Sequence, residues 1–458
     1  MTGVSALVHE GTIAAISTAP GRGAVALVRV SGAAAHGIAK QLVAPWPKNA
    51  RQATVCAIRD HEGALLDRAL VTWFQGPHSF TGEDTVEIAT HGGLLAPTMV
   101  MAALVAAGAR QAFPGEFTRR AVLNGKIDLV QAEAIGDVID ATSRAMHGTS
   151  VQQLDGGLSR RIAALRAMLI DLEALIAYDI DFPEEDDGPV PRSRVEAGIA
   201  QVTRALEALL ATASVGEVIR HGAVVVVAGA PNAGKSSLFN ALVGMERAIV
   251  TDVPGTTRDA IEAVIDVGSW PIRLVDTAGL RETEDTVERI GIDVSMRYVA
   301  TAALVLACGE NADSLSATIS AVRPLATGTI IPVLTKQDIA SPGRGLAPDP
   351  DGTAVSVSAF SGAGLASLVG AITGALDASF GALSLDTPVL TRERQRQAVG
   401  TALMEVGAFA HGWREMQLPA PVAAVHLRAA THALEDVVGA IDVEDVFDRL
   451  FSTFCVGK

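Results

Sequence analysis

A lysine and two serines closing a glycine-rich run are the residues of this chain best placed to handle phosphate. Gly229-Ala230-Pro231-Asn232-Ala233-Gly234-Lys235-Ser236-Ser237 fits the spacing G-x4-G-K-[ST]. In such a loop the backbone N–H groups face the phosphates, Lys235 brings a cation to the β and γ phosphates, and the Ser236 hydroxyl ligates Mg2+. The run Ala223 to Ala228 before it is apolar, and Leu238, Phe239, Leu242 and Val243 follow it at helical spacing. That is the strand, loop and helix order a phosphate cradle needs.

Four further stretches supply the rest of a nucleotide site. Asp276-Thr277-Ala278-Gly279 ends an apolar run; its Asp holds Mg2+ through the water shell and the Gly279 N–H meets the γ-phosphate. Pro254-Gly255-Thr256-Thr257-Arg258-Asp259 offers a hydroxyl from a switch loop, and Thr257 is the residue expected on the same ion. Thr335-Lys336-Gln337-Asp338 presents a carboxylate that accepts both N1–H and the exocyclic amine of guanine, a donor pair that adenine lacks. Most GTPases carry Asn where this chain carries Thr335, so one base contact is expected to be weaker. Ser358-Ala359 fits the remaining guanine-contact loop. Ordered motifs of this set within one domain make GTP the expected nucleotide. Leu280 follows Gly279, where Ras-like switches carry the Gln that orients the attacking water, and an apolar side chain cannot do that. Glu282, Glu284, Asp285 and Glu288 are the polar candidates, and the residues alone do not choose among them.

These motifs lie in an alternating strand and helix stretch from about 221 to 379. Strands are expected at Ala223–Gly229, Ala260–Val267, Ile272–Asp276, Ala302–Ala307, Thr329–Leu334 and Ala354–Val357, with helices after Lys235 and around Val287–Val299, Ser314–Val322 and Leu365–Leu376. The pattern predicts a three-layer α/β sandwich on a mostly parallel sheet. Residues 1 to about 122 read as a smaller α/β unit. Its strands are expected at Thr12–Ile16, Ala24–Val30, Asp67–Phe74 and Asp84–Ala89, and a helix over Ala96–Ala107. Arg29 and Glu87 are charges inside otherwise apolar strands; they either pair and face solvent or line a ligand pocket, since buried charge is costly unless paired or used.

From about Ile127 the period becomes helical. Asp128 caps a helix carrying Val130, Ala134, Ile135, Val138 and Ile139. Ile162, Leu165, Leu169, Leu172 and Ile176, and again Val195, Ile199, Val202, Leu206 and Leu209, recur at steps of three and four, the seam of bundle helices. The six acids between Asp179 and Asp187 read as a solvated connection. From Pro388 the chain is helical again, with Val399, Leu403 and Val406 on one stripe and Val446, Phe447, Leu450 and Phe451 on another. Helices on both sides of an α/β stretch predict one helical domain interrupted by an insert. The expected divisions are 1–122, 123–219, 220–378 and 379–458, the second and fourth being two parts of the helical domain.

A chain of 458 residues has room for roughly three domains of ~100–200 residues each. Its 49% hydrophobic content argues for a folded globular protein. A net charge of −15 and pI near 5.1 argue against a broad basic face for nucleic acid, so any RNA contact is expected to be local or shared with a partner. Cys56, Cys308 and Cys455 form neither a disulfide framework nor a zinc spacing, which suits the cytoplasm. No secretory signal is evident. Gly92 to Ala109 carries no charge, yet its glycines and Pro97 read as a turn followed by a buried helix, with no membrane span expected.

Several stretches resemble the tRNA-modification GTPase MnmE (TrmE) family over nearly the whole chain. They are Thr12-Ile13-Ala14-Ala15-Ile16 with Pro20-Gly21-Arg22-Gly23, Ser79-Phe80-Thr81-Gly82-Glu83-Asp84, Pro114-Gly115-Glu116-Phe117-Thr118-Arg119-Arg120, Asn124-Gly125-Lys126-Ile127-Asp128-Leu129, and the tail Cys455-Val456-Gly457-Lys458. The resemblance implies an N-terminal folate-binding and dimerisation domain, a helical-bundle domain and an inserted Ras-like P-loop GTPase domain. It implies a homodimer with a pocket for 5-formyl- or 5,10-methylene-tetrahydrofolate lined by Arg29, Glu87, Lys126 and Lys458, with Glu83 as the alternative to Glu87. It implies K+ near Asn232 and the loop Thr251-Asp252-Val253-Pro254-Gly255-Thr256, with Thr251, Val253 and Thr256 as ligands. Val287-Glu288-Arg289-Ile290-Gly291 matches the family segment bearing the water-orienting acid, which selects Glu288. Cys455 is the thiol candidate for family chemistry.

Two function classes follow. In the first, an enzyme works with an FAD-dependent MnmG-type partner, in a heterotetramer, to install an aminomethyl or carboxymethylaminomethyl group at C5 of the wobble uridine of tRNA. The second is a regulatory or ribosome-assembly GTPase switch without folate chemistry. A basic RNA-binding module beside the GTP domain would favour the switch, and none is visible in the sequence.

Overall fold

The structure, a computed structural model, describes residues 11–181, 191–245, 262–276, 296–339, 354–384, 387–415 and 420–439, with 454 and 457. Two compact units result, Met1–Gly136 with Val438–Lys458, and Asp137–Val437.

The first unit is built on a seven-stranded sheet. Its strands are β1 (Ile13–Ile16), β2 (Val25–Ser31), β3 (Val43–Ala44), β4 (Thr54–Arg59), β5 (Leu65–Phe74), β6 (Thr85–His91) and β7 (Arg110–Gln111), in the order β3-β4-β5-β6-β2-β1-β7. All neighbours are antiparallel except β1 and β7. Helices α1 (Ala35–Leu42) and α2 (Leu95–Ala106) cover one face, where Ile38, Leu42, Val100 and Leu104 meet Val28, Val30, Val71 and Ile88. On the other side Phe117 of α3 (Glu116–Leu123) packs with Ile13, Ala15 and Ala112. Because strand side chains alternate between faces, Arg29 lies on the face opposite the core residues Val28 and Val30. Helix α2 stands where a turn and a packed helix were expected, and no helix among the described residues is long and apolar enough to cross a membrane.

Helix α4 (Leu129–Asp140) starts in a reciprocal cap: the Gln131 N–H donates to Asp128 Oδ1 at 2.9 Å, and the Asp128 N–H to Gln131 Oε1 at 3.1 Å. Two orphan donors of the first turn are thereby satisfied. In the second unit, α5 (Arg144–Leu154), α6 (Gly157–Asp181), α7 (Arg192–Leu210) and α8 (Ala213–His221) lead into the α/β part. Every residue of both expected seams is buried: Ile162, Leu165, Leu169, Leu172 and Ile176 on α6, and Val195, Ile199, Val202, Leu206 and Leu209 on α7. Each such burial stabilises by roughly 1.5–3 kcal/mol.

The α/β part carries a six-stranded sheet, β8 (Ala223–Gly229), β9 (Glu262–Val267), β10 (Trp270–Asp276), β11 (Leu304–Gly309), β12 (Thr329–Leu334) and β13 (Val355–Ser356), ordered β13-β12-β11-β8-β10-β9. All pairs are parallel except β9 with β10. Helices α9 (Lys235–Met245) and α11 (Leu365–Phe380) cover one face through Leu238, Leu242, Leu368 and Ile372 against Val225, Val227 and Leu306. Val226, Ala228 and Val305 point the other way, onto Val299 and Val322, the latter on α10 (Ala312–Val322). Three layers result, as the strand and helix alternation predicted.

After the insert come α12 (Glu393–Glu415) and α13 (Ala420–Val438). They return to the helices before it: Arg192 Nη2 donates to the Arg414 carbonyl at 2.9 Å, Arg428 pairs with Glu173 at 2.6 Å, and Arg166 pairs with Glu435. The helical domain is therefore one bundle interrupted by the α/β insert. At the join, Gln153, buried, donates to the Val389 carbonyl at 3.0 Å, and the Leu390 N–H donates to Thr212 Oγ1 at 3.1 Å.

Candidate functional site

Strand β8 is the point at which the strand order turns back, with β10 on one side and β11 on the other. Ligands of open α/β sheets sit at the carboxyl ends of the strands at such a point. The phosphate loop leaves β8 there. Asn232 takes φ 61° and Gly234 φ 78°, so two left-handed residues curl the backbone between Ala230 and Lys235. Successive N–H groups in such a curl form an anion-binding concavity, and α9 opens directly behind it with its positive end. Gly229 has no room for a side chain, since a Cβ would lie 2.7 Å from the Cys308 carbonyl oxygen.

Lys235 is buried and its Nζ donates to the Ala230 carbonyl at 2.8 Å, across the loop. The Ser236 hydroxyl donates to Asp276 Oδ2 at 2.7 Å. Parallel pairing of β10 with β8 sets Asp276 beside Val227, so a residue distant in sequence reaches the loop. Beneath it Cys308 is fully buried, and burial pushes its thiol up to about 12. Cys308 is a neutral packing group there.

At the other end, a pocket of about 200 Å3 is lined by Gly234, Leu238, Thr335, Lys336, Asp338 and Phe360 among others. Ser358 Oγ donates to Asp338 Oδ1 at 2.7 Å and fixes the carboxylate. Thr335 is buried, and its hydroxyl donates to the Ala233 carbonyl at 2.7 Å. The hydroxyl thus clamps the base loop to the phosphate loop, a use the sequence did not reveal. Lys336 sits at φ 57° with Nζ held by Glu310 at 2.5 Å. Ser237 and Ala359, also expected at the nucleotide, line the same pocket.

A second cluster lies in the first unit. Arg29 donates to Glu87 Oε1 through Nε at 3.0 Å and Nη2 at 2.7 Å, because β2 and β6 place these residues directly opposite. The guanidinium lies 5.6 Å from the centroid of Phe80 and 5.7 Å from that of Phe117. Neither ring was among the expected site residues; each stands in a stretch that carries the family resemblance, but only the fold brings both to Arg29. Lys126 Nζ donates to the Pro77 carbonyl at 2.9 Å, on the same 77–83 loop that carries Phe80. Glu83 is committed elsewhere: Arg120 Nη1 reaches both of its oxygens at 3.0 Å and Ser31 donates to it at 2.8 Å. The tail returns to this unit, where Ser17 Oγ donates to the buried Gly457 carbonyl at 2.9 Å.

Thr251, Asp252, Val253, Pro254, Gly255, Thr256, Thr257, Thr277, Ala278, Gly279, Glu282, Glu284, Asp285, Glu288, Cys455 and Lys458 lie outside the described residues. Among the described residues no group of three His, Cys, Asp or Glu side chains is arranged to hold a metal.

A phosphate loop behind the central strand, its acid on the neighbouring strand and an antiparallel edge hairpin are the arrangement of Ras-like proteins. Fold and site together define the class as a P-loop GTP-binding protein. The family profile "MnmE helical domain" matches residues 129–455, and "GTP-binding protein TrmE N-terminus" matches 12–126. The tRNA modification GTPase MnmE of Azoarcus sp. (strain BH72) is 43% identical over 97% of this chain and 98% of that protein. Its counterparts from Akkermansia muciniphila and Methylobacterium radiotolerans are 40% and 42% identical over 98% of this chain and 99% of theirs. The chain belongs to the tRNA modification GTPase MnmE family.

Proposed function

We propose that this chain is the K+-activated, GTP-hydrolysing component of a complex that adds an aminomethyl or carboxymethylaminomethyl group at C5 of the tRNA wobble uridine. The observation that carries the reading is the near-full-length match to relatives named tRNA modification GTPase, on a chain whose phosphate loop is built.

In this reading Lys235 meets the β and γ phosphates. Ser236 and Thr257 would ligate Mg2+, and Asp276, a hard oxygen donor 2.7 Å from the Ser236 hydroxyl, would hold the ion through its water shell. Asn232, Thr251, Val253 and Thr256 would hold K+, which would supply charge neutralisation at the phosphates. Glu288 orients the attacking water. Asp338, fixed by Ser358, reads the guanine edge.

Arg29, Glu87, Lys126 and Lys458 form the tetrahydrofolate site. The fit is favourable: Glu87 is a half-buried acceptor for an aminopyrimidine edge, and Phe80, 38% exposed, offers a ring beside it. Glu87 is preferred to Glu83, whose two oxygens already serve Arg120. Folate supplies the one-carbon unit, and Cys455 is a candidate thiol. Residues 1–122 are the folate and dimerisation domain, 220–378 the GTPase domain, and 123–219 with 379–458 the helical domain. The working assembly is a cytoplasmic homodimer joined by an FAD-dependent MnmG-type partner, and it receives tRNA.

Mass spectrometry of tRNA nucleosides from a strain lacking this gene tests the reading. Loss of the wobble-uridine derivative is expected, restored by the parent gene and not by Arg29→Ala. An unchanged nucleoside profile on deletion removes the tRNA assignment; full restoration by Arg29→Ala removes the folate site.

A further inference from the structure

We infer that Phe360 is the base-stacking wall of the nucleotide pocket, an inference that rests on the assignment of that pocket to guanine. Its side chain is 92% exposed. A single exposed apolar residue is ordinary on a protein surface, so exposure alone says little. Three further observations give it meaning.

Phe360 lines the same pocket as Asp338 and Lys336. Its turn is held rigidly: the Gly362 N–H donates to the Ser358 carbonyl at 2.9 Å, the Ser358 N–H to the Ala363 carbonyl at 2.9 Å, and the Ser361 N–H to Ser358 Oγ at 3.2 Å. The same Ser358 Oγ donates to Asp338 at 2.7 Å, so one serine positions both the edge-reading carboxylate and the ring. Finally, Lys336 lines the pocket too, and its Nζ is held by Glu310 at 2.5 Å, which leaves the aliphatic stem available as a second apolar surface. A flat ring, an aliphatic stem and a carboxylate at the rim suit a purine gripped by its face and read at its edge. Every base has a π-face, so a stack adds affinity without choosing among bases. Discrimination stays with Asp338.

Calorimetry with GDP and with IDP, which lacks the exocyclic amine, on the parent, Phe360→Ala and Phe360→Trp tests this. Phe360→Ala is expected to weaken both nucleotides by the same factor, about five- to 150-fold, the span of one base–aromatic stack. Phe360→Trp is expected to bind GDP like the parent and to show an added fluorescence quench on binding that the parent lacks. Parent-like GDP affinity in Phe360→Ala, or no added quench in Phe360→Trp, overturns the stack. A changed GDP-to-IDP ratio in Phe360→Ala also overturns it, by showing that the turn acts only through Asp338. Absence of GDP binding by the parent is a different failure: it removes the guanine assignment itself.

Discussion

Asp338 and Thr335 sit three residues apart and do different work. The Asp338 carboxylate is held by Ser358 and borders the pocket, whereas the Thr335 hydroxyl is turned onto the Ala233 carbonyl. The expected weakness at Thr335 therefore has a structural counterpart: the hydroxyl ties two loops together. Guanine selection depends on a charged acceptor meeting two donors. Asp338→Asn is expected to weaken GDP binding about 10- to 150-fold, the worth of a charge-assisted hydrogen bond of ~1.5–3 kcal/mol. It should favour xanthosine nucleotides, whose C2 carbonyl accepts where guanine donates. Competition calorimetry with GDP and XDP checks this, and an unchanged preference removes Asp338 from base reading.

Helix α3 shows how an element can be held by charge. Glu116, Thr118, Arg119 and Arg120 on it are all buried. Glu116 accepts from Arg110 Nη1 at 2.8 Å, Arg120 Nη2 at 3.0 Å and the Phe113 N–H at 2.9 Å. Burial alone pushes the Glu116 carboxyl up; Arg110, the Phe113 N–H and Arg120 together outweigh it and hold the group below its usual range. A carboxyl depressed in the folded state contributes stability that is complete above its unfolded value, near 4.3, and is lost as pH falls through the folded value. Glu116→Gln should therefore be less stable than the parent at neutral pH, and the gap should narrow as pH falls below the unfolded value, about 4.3. Denaturant midpoints across that range check it; a constant gap would mean that the loss is one of packing.

For the whole molecule, the helical domain must close around the α/β insert, and its join is tight. A Cβ on Gly216 of α8 would lie 1.9 Å from the Leu390 carbonyl oxygen, so the segments entering and leaving the insert touch at backbone level. Under the proposed mechanism, replacing K+ by Na+ should slow GTP hydrolysis by about 10²-fold, the cost of removing one preorganised electrostatic stabiliser. Phosphate release in matched K+ and Na+ buffers measures this, and equal rates would withdraw K+ coordination from Asn232.

Much was legible in the sequence because it is local. The phosphate loop is read from nine consecutive residues, the α6 and α7 seams from their three-and-four spacing, and the α4 cap from Asp128 and its neighbours. Helices α1, α3 and α5 were not legible: α1 and α3 have only 8 residues each, α3 buries charges where a pattern reader looks for apolar residues, and the buried face of α5 includes Thr149, Ser150 and Gln153. Strand β4 escaped for a related reason, since only Cys56 and Ile58 within it are buried. What only the tertiary structure decided were pairings over long separations. Register between β2 and β6 joins Arg29 to Glu87 and rings it with Phe80 and Phe117; β10 brings Asp276 to Ser236; Thr335 closes on Ala233; and Ser358 sets Asp338 and Phe360 around one pocket. Sequence spacing carries the geometry of one turn of chain. Sheet register and packing carry the geometry between turns, and the chemistry of both sites depends on the second.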